Sequence, residues 1–162
     1  DGKVTAGNAS GLNDGGSALI MMEAGTAKQM RIKPLARVVA SASGSVDPRI
    51  MGMGVVPAVQ KALQFAGLKQ KEIDYWEINE AFAAQFLGVG RMLKEDFGIE
   101  LGMEKCNLNG SGIALGHPVG CSALRIVVSL YYELERQGKT IGGASLCVGT
   151  GPALASLWTR DI

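Results

Sequence analysis

The sequence predicts an α/β fold: a sheet with helices packed on it. Two observations carry that reading. Apolar segments alternate as strand, helix, strand, helix, then a long loop, helix, strand, strand, an order that places helices over a sheet. The last two extended segments join through a short turn at Val148–Pro152, which gives the sheet an antiparallel hairpin.

Taken in chain order, Thr5–Gly16 (TAGNASGLNDGG) reads as a loop of small and turn-forming residues, the kind whose backbone approaches something closely. The apolar run Ser17–Met22 reads as a buried strand or a passage from helix to strand, and Glu23–Arg31 as a surface helix closed by Pro34. Leu35–Ala42 is a strand and Ser43–Gly54, with Asp47, Pro48 and three Gly, a loop. Pro57 suits the first turn of a helix. Val59, Ala62, Leu63 and Ala66 give that helix one apolar face, and Gly67 stops it. Ile73–Ile78 is a short strand. Asn79 caps a helix with Phe82, Phe86, Val89 and Leu93 on one face. Cys106–Gly120 is a loop dense in Gly and Asn. The helix after it carries Leu124, Val127, Val128, Tyr131 and Leu134 as its stripe and ends at Gly138. Thr140–Val148 and Ala153–Thr159 are the closing strands.

Composition bounds the function. The 162 residues suit one domain with a real core. Apolar residues at 47% and a net charge of +1 exclude intrinsic disorder, and the 23 Gly have no three-residue period, which excludes collagen. With 16 basic and 15 acidic residues there is no basic field for nucleic acid or an anionic membrane. Cys106, Cys121 and Cys147 are odd in number and widely spaced, and there is one His, so neither a disulfide framework nor a zinc site is expected. Free thiols and short apolar runs fit a cytoplasmic protein without a membrane span. The chain opens at Asp1 rather than Met, from which we expect part of a longer machine.

Three places sit where open α/β sheets put their ligands, at strand ends and helix starts. The first is Asn79-Glu80, after the strand Ile73–Ile78. On these two residues alone a helix cap and a first-turn acid are the plainer reading. The second is His117 in GHPVG. A helix N-terminus there lowers its pKa and favours a neutral base, and the small residues around it leave room for a ligand; a structural His is the alternative. The third is Cys147 in CVGTG, followed by Gly149 and Gly151, whose backbone N–H groups can face an anion. Cys106 and Cys121 read as small buried hydrophobes.

As a set, NEAFAA (Asn79–Ala84), NGSGIALGHPVG (Asn109–Gly120) and CVGTG (Cys147–Gly151), in this order, resemble the C-terminal half of the thiolases. The opening GKVTAGNASGLNDG (Gly2–Gly15) and the loop DPRIMGMG (Asp47–Gly54) are similar to further thiolase segments, so the resemblance spans essentially the whole chain. Within the family it is most like the acetyl-CoA acetyltransferases. The resemblance implies a thiolase-like C-terminal domain over residues 34–162, with helices on both faces of a mixed sheet. Residues 1–33 would form the segment that packs onto the N-terminal half.

It also implies roles. His117 would be the base that activates the nucleophilic cysteine, and with a water held by Asn79 it would line one oxyanion hole. Cys147 would be the second catalytic cysteine, exchanging protons with the α-carbon of acetyl-CoA and the leaving thiolate. The Gly149 N–H would serve the other oxyanion hole. Ser10 would face the pantetheine arm, Phe82 would wall the acyl pocket, and Glu80 would orient. Acetyl-CoA and acetoacetyl-CoA would be substrates, with no permanently bound cofactor or metal. Partners would be the N-terminal thiolase half, in the same or a separate chain, and further copies of the protein.

The chemistry requires such groups: removing a weakly acidic proton beside a thioester needs a tuned thiolate and donors already in place. The family's nucleophilic cysteine and nucleotide-holding loop domain are not among these residues. Two motifs depart from the family pattern: Cys121-Ser122-Ala123-Leu124-Arg125 stands for small-Ser/Thr-Gly-Ala-Arg, and Gly149-Thr150-Gly151 for three Gly. Lys94–Lys105 is longer than in the shorter biosynthetic enzymes. The readings beside condensation are a degradative 3-ketoacyl-CoA thiolase and a non-catalytic thiolase-fold module.

Overall fold

The computed structural model describes residues 2–162. Four strands, β1 (Arg37–Ser45), β2 (Tyr75–Ile78), β3 (Ile141–Cys147) and β4 (Pro152–Thr159), form one sheet in the order β1-β4-β3-β2. β2 and β3 are parallel; β4 pairs antiparallel with β3 and β1. The helices are α1 (Ala24–Gln29), α2 (Val55–Ala66), α3 (Ala83–Phe97), the single turn α4 (Gly112–Leu115) and α5 (Ser122–Arg136). The sheet is mixed, with α2 and α3 on one face and α5 on the other, as expected.

On the α2 side the core joins Val55, Val59 and Leu63 of α2, Phe86, Val89 and Leu93 of α3, and Trp76, Ala155 and Leu157 of the sheet. Each fully buried aliphatic or aromatic side chain there contributes about 1.5–3 kcal/mol. Close packing depends on small residues. A Cβ on Gly44 of β1 would stand 2.4 Å from the Ala58 nitrogen of α2, and one on Gly143 would strike the buried Trp76 ring. Gly67 ends α2 with φ +66°, a left-handed cap that glycine adopts without strain.

On the other side, Ile126, Leu130 and Leu134 of α5 pack on Tyr75, Ala144 and Leu146. The helix therefore buries a stripe rotated from the expected one. Leu134 is shared, whereas Leu124, Val127, Val128 and Tyr131 are half-buried. α5 carries two apolar stripes, and the sheet takes the one that fits over Gly142, where a Cβ would meet Leu130 and Leu134.

Several local expectations are corrected. Ser17–Met22 is neither strand nor buried: it pairs with no strand among the described residues, and Ile20 is 85% exposed. β1 continues through Ser45, because Ser41–Ser45 pair with Pro152–Ser156. The rest of the expected loop folds into two short 3-10 turns over Pro48–Gly54, with Asp47 accepting from the Arg49 N–H as N-cap. Asn79 does not cap α3, which starts four residues later with Phe82 as N-cap. His117 lies five residues before α5, whose N-cap is Cys121. No described helix is long and apolar enough to cross a membrane.

Candidate active site

β2 and β3 run parallel, so their carboxyl ends lie side by side. Ile78 pairs with Ser145, and the Asn79 N–H donates to the Ser145 carbonyl at 2.9 Å, extending the pairing by one residue. Cys147 ends β3 two residues further on. Asn79 and Cys147 thus leave the same edge of the sheet, where α/β folds open their ligand sites.

Asn79 is fully buried, and neither its carboxamide oxygen nor its nitrogen has a partner in the protein. A buried amide without partners costs about 1–3 kcal/mol, so its retention points to a task beyond the fold. Its neighbourhood is built closely. The Ser111 hydroxyl accepts from the Glu80 N–H at 3.3 Å, and a Cβ on Gly112 would stand 2.7 Å from the Glu80 carbonyl and 3.0 Å from the Asn79 carboxamide oxygen. Asn107 supports the same turn. Its carboxamide accepts from the Ile78 N–H (2.8 Å) and donates to the Ile78 carbonyl (2.7 Å) and Glu80 Oε1 (2.8 Å). Sequence reading did not single out Asn107; its left-handed φ of +50° just after Cys106 is visible only in the fold.

His117 reaches this edge through a strap formed by residues 8–13. The Ser10 N–H donates to Ala81 (2.9 Å), and the Ala83 N–H donates to Asn8 (2.9 Å). The His117 N–H is shared between the Gly11 carbonyl (2.9 Å) and the Asn13 side chain (3.1 Å). One extended segment therefore joins the Asn79–Phe82 turn to the His117 loop, the close backbone approach expected of the glycine-rich opening. Ser10 and Phe82 fall on this seam, Ser10 half-buried in the strap and Phe82 half-buried against the α3 core.

The His117 ring is half-buried, with Nδ1 2.7 Å from Ser122 Oγ. Burial, then the Arg125 guanidinium, hold its pKa below the ordinary 6.5. The neutral imidazole is as expected, but its cause is desolvation and a nearby cation, with the helix starting five residues later. Arg125 also donates to the Gly116 carbonyl at 3.4 Å. Gly116 has φ +94°, and a Cβ there would stand 2.4 Å from the Asn13 carboxamide oxygen.

The Cys147 thiol differs from the tuned thiolate expected: burial pushes its pKa up, so in this chain it rests as a thiol. After it, Val148–Gly151 turns tightly, with the Val148 N–H donating to Pro152 at 2.7 Å. Gly149 is exposed. Thr150 takes φ +74°, a strained conformation for a β-branched residue. Gly151 admits no Cβ, which would lie 2.3 Å from the Val46 carbonyl. Among the described residues, no group of His, Cys, Asp and Glu could hold a metal ion.

Fold and site together define an α/β domain that gathers an amide, an imidazole and a thiol at one edge of a mixed sheet. The sequence matches the thiolase C-terminal domain over residues 32–160. It is 53% identical to acetyl-CoA acetyltransferase of Escherichia coli K12 over 98% of this chain and 39% of that protein. The fold superposes with a TM-score of 0.92 on acetyl-CoA acetyltransferase from Syntrophomonas wolfei, at 56% identity, covering 98% of this chain and 40% of that one. The value is 0.93 for human mitochondrial 3-ketoacyl-CoA thiolase, at 44% identity, covering all of this chain and 40% of that one. The chain belongs to the thiolase family and carries its C-terminal domain. It spans about 40% of the length of these relatives.

Proposed function

We propose that this chain is the C-terminal part of an acetyl-CoA acetyltransferase that condenses two acetyl-CoA to acetoacetyl-CoA and CoA, reversibly. The observation that carries the proposal is the convergence of Asn79, His117 and Cys147 on one edge, through adjoining strand ends and the 8–13 strap. In this reading His117 deprotonates the nucleophilic cysteine of the N-terminal half, which takes up the acetyl group as a thioester and divides one hard step into two. Cys147, at rest a thiol, gives its proton to the departing CoA thiolate, and the thiolate so formed removes a proton from the α-carbon of the second acetyl-CoA. His117 and a water on the Asn79 carboxamide donate to the enolate oxygen as it forms. The enolate attacks the acyl thioester, the Gly149 N–H receives the resulting oxyanion, and the nucleophilic cysteine leaves as a thiolate that takes back the proton held by His117, while Cys147 keeps the one from the α-carbon. Burial of the Cys147 thiol suits a group that must hold its proton between steps.

Ser10 is assigned to the pantetheine arm, Phe82 to the acyl wall and Glu80, through Asn107, to orientation. CoA thioesters are the substrates, with no resident cofactor. The N-terminal half, in this polypeptide or another, is the proposed neighbour of residues 1–33 and of the half-exposed stripe Leu124–Val128–Tyr131 on α5. The exposed Leu19, Ile20 and Met21 support that placement. Cytoplasmic lipid metabolism and assembly into a homo-oligomer complete the proposal.

The test is thiolytic cleavage of acetoacetyl-CoA by the full-length protein and its Cys147→Ala variant. Loss of about 10²–10⁴-fold in the variant is expected for a proton-transfer group. Unchanged turnover would refute the role and favour a non-catalytic module. A second reading, a 3-ketoacyl-CoA thiolase, draws on the 44% identity to the human mitochondrial protein. Faster cleavage of long-chain than of four-carbon substrates would select it.

A further inference from the structure

We propose that Ser122 is a positioning residue that fixes the tautomer of His117, so that Nδ1 carries the proton and Nε2 is left as the base. The inference deepens the thiolase reading and rests on it for the use to which Nε2 is put. Ser122 is the first residue of α5 and is fully buried, so no bulk water competes for its hydroxyl. Its Oγ has two neighbours: the Pro118 carbonyl at 3.1 Å and His117 Nδ1 at 2.7 Å. A hydroxyl has one proton to give, and a carbonyl can only accept. Both contacts are hydrogen bonds only when the proton goes to Pro118 and Oγ turns its lone pairs to the ring, and that arrangement is the one proposed. Nδ1 must then donate, and the neutral imidazole keeps its free lone pair on Nε2.

The frame around the ring is rigid. The His117 N–H is held by Gly11 and Asn13, and the Pro118 carbonyl also accepts from the Cys121 and Ser122 N–H groups at 2.8 and 2.9 Å. The first turn of α5 thus closes on the residue before it and presents one hydroxyl to one ring nitrogen. An imidazole free in water favours the other tautomer only weakly, so a single hydrogen bond is enough to set the balance.

The experiment is nitrogen NMR of the full-length protein labelled in histidine, at a pH where the ring is neutral. The His117 signals are assigned by their loss in His117→Asn. The wild type is expected to show a protonated Nδ1 and a bare Nε2. Ser122→Ala should move both signals toward the averaged values of free histidine and lower kcat about fivefold to tenfold, the worth of one net hydrogen bond, with KM unchanged. Ser129→Ala, on the same helix, should change neither. A wild-type spectrum with the proton on Nε2, or a Ser122→Ala spectrum like the wild type, overturns the proposal. The NMR readout does not depend on turnover. A locked tautomer in a protein that fails to cleave acetoacetyl-CoA would retire the thiolase reading alone.

Discussion

Replacing Gly112 by Ala tests how closely the Asn79 turn is built. Gly112 begins α4 and is buried beneath the turn, with no positive φ to complicate the substitution. The new Cβ would stand 2.7 Å from the Glu80 carbonyl oxygen, whereas ordinary contact begins at 3.4 Å, so that backbone must retreat about 0.7 Å. The Asn79 carboxamide oxygen at 3.0 Å must give a few tenths of an ångström more. Backbone cannot swing aside like a flexible side chain, and overpacking of this kind costs about 1–3 kcal/mol. A displacement approaching 1 Å in a positioned group costs up to about 10²-fold in rate. Gly112→Ala should therefore lower the urea midpoint by that stability and reduce acetoacetyl-CoA cleavage by about 10–10²-fold. Gly90→Ala is the control: it lies in α3 with nothing within 4 Å of the new Cβ, and should be neutral or stabilising by up to about 1 kcal/mol. Wild-type stability and rate in Gly112→Ala would refute the argument that contact at this glycine holds Asn79 in place.

Three further outcomes follow from the structure. The His117 pKa is held below 6.5, so the acid limb of kcat/KM should have its midpoint below pH 6.5, and Arg125→Gln should move it upward; a midpoint above 6.5 in the wild type contradicts the assignment. Glu77 is buried with Oε2 unpartnered, and desolvation raises its pKa from 4.5 to about 7. The folded state then holds a proton that the unfolded state has released. Stability falls as pH rises from about 4.5 to about 7. Glu77→Gln should flatten that decline in denaturation midpoints, and an unaltered slope would assign it elsewhere. Thr150→Gly relieves the left-handed strain, about 1–3 kcal/mol, against a glycine entropy cost of about 0.5–1 kcal/mol; thermal denaturation should show a net gain near 1 kcal/mol, and a loss would mean the threonine side chain contributes contacts of its own.

Much of the fold was legible because its signals are local. Gly67 in the left-handed cap and the Val59–Leu63 face set α2, and Val148–Pro152 set the hairpin. What was hidden depends on distant neighbours. The sequence alone places the stripe of α5 about a quarter of a turn away, because Ile126 and Leu124 are equally apolar and only the sheet, with Gly142 beneath, decides between them. The run Ser17–Met22 has the composition of a core strand, yet composition says nothing of whether a surface exists to receive it. Asn79 has the residue type and setting of a helix cap, and only the start of α3 at Ala83 shows that it is not one. For the site, the motifs named the reactive residues but gave no role to Ser122 or Asn107, whose hydrogen bonds span 5 and 29 residues. The raised pKa of Cys147 follows from burial, which the sequence does not record.

The strap over residues 8–13 has a consequence for the order in which the protein assembles. Its two anchors, Ser10 to Ala81 and His117 to Gly11, close loops of about 71 and 106 residues. Loop closure of this length is entropically uphill until the elements between have formed, and non-local contacts are made late. On a ribosome the strap emerges before its two anchors and waits while they are synthesised. The edge that holds Asn79, His117 and Cys147 is therefore finished last, once the sheet and its helices can receive the strap. Folding intermediates of this chain carry the chemistry-bearing residues without the geometry that joins them, which keeps the Cys147 thiol and the His117 imidazole apart until the strap has docked.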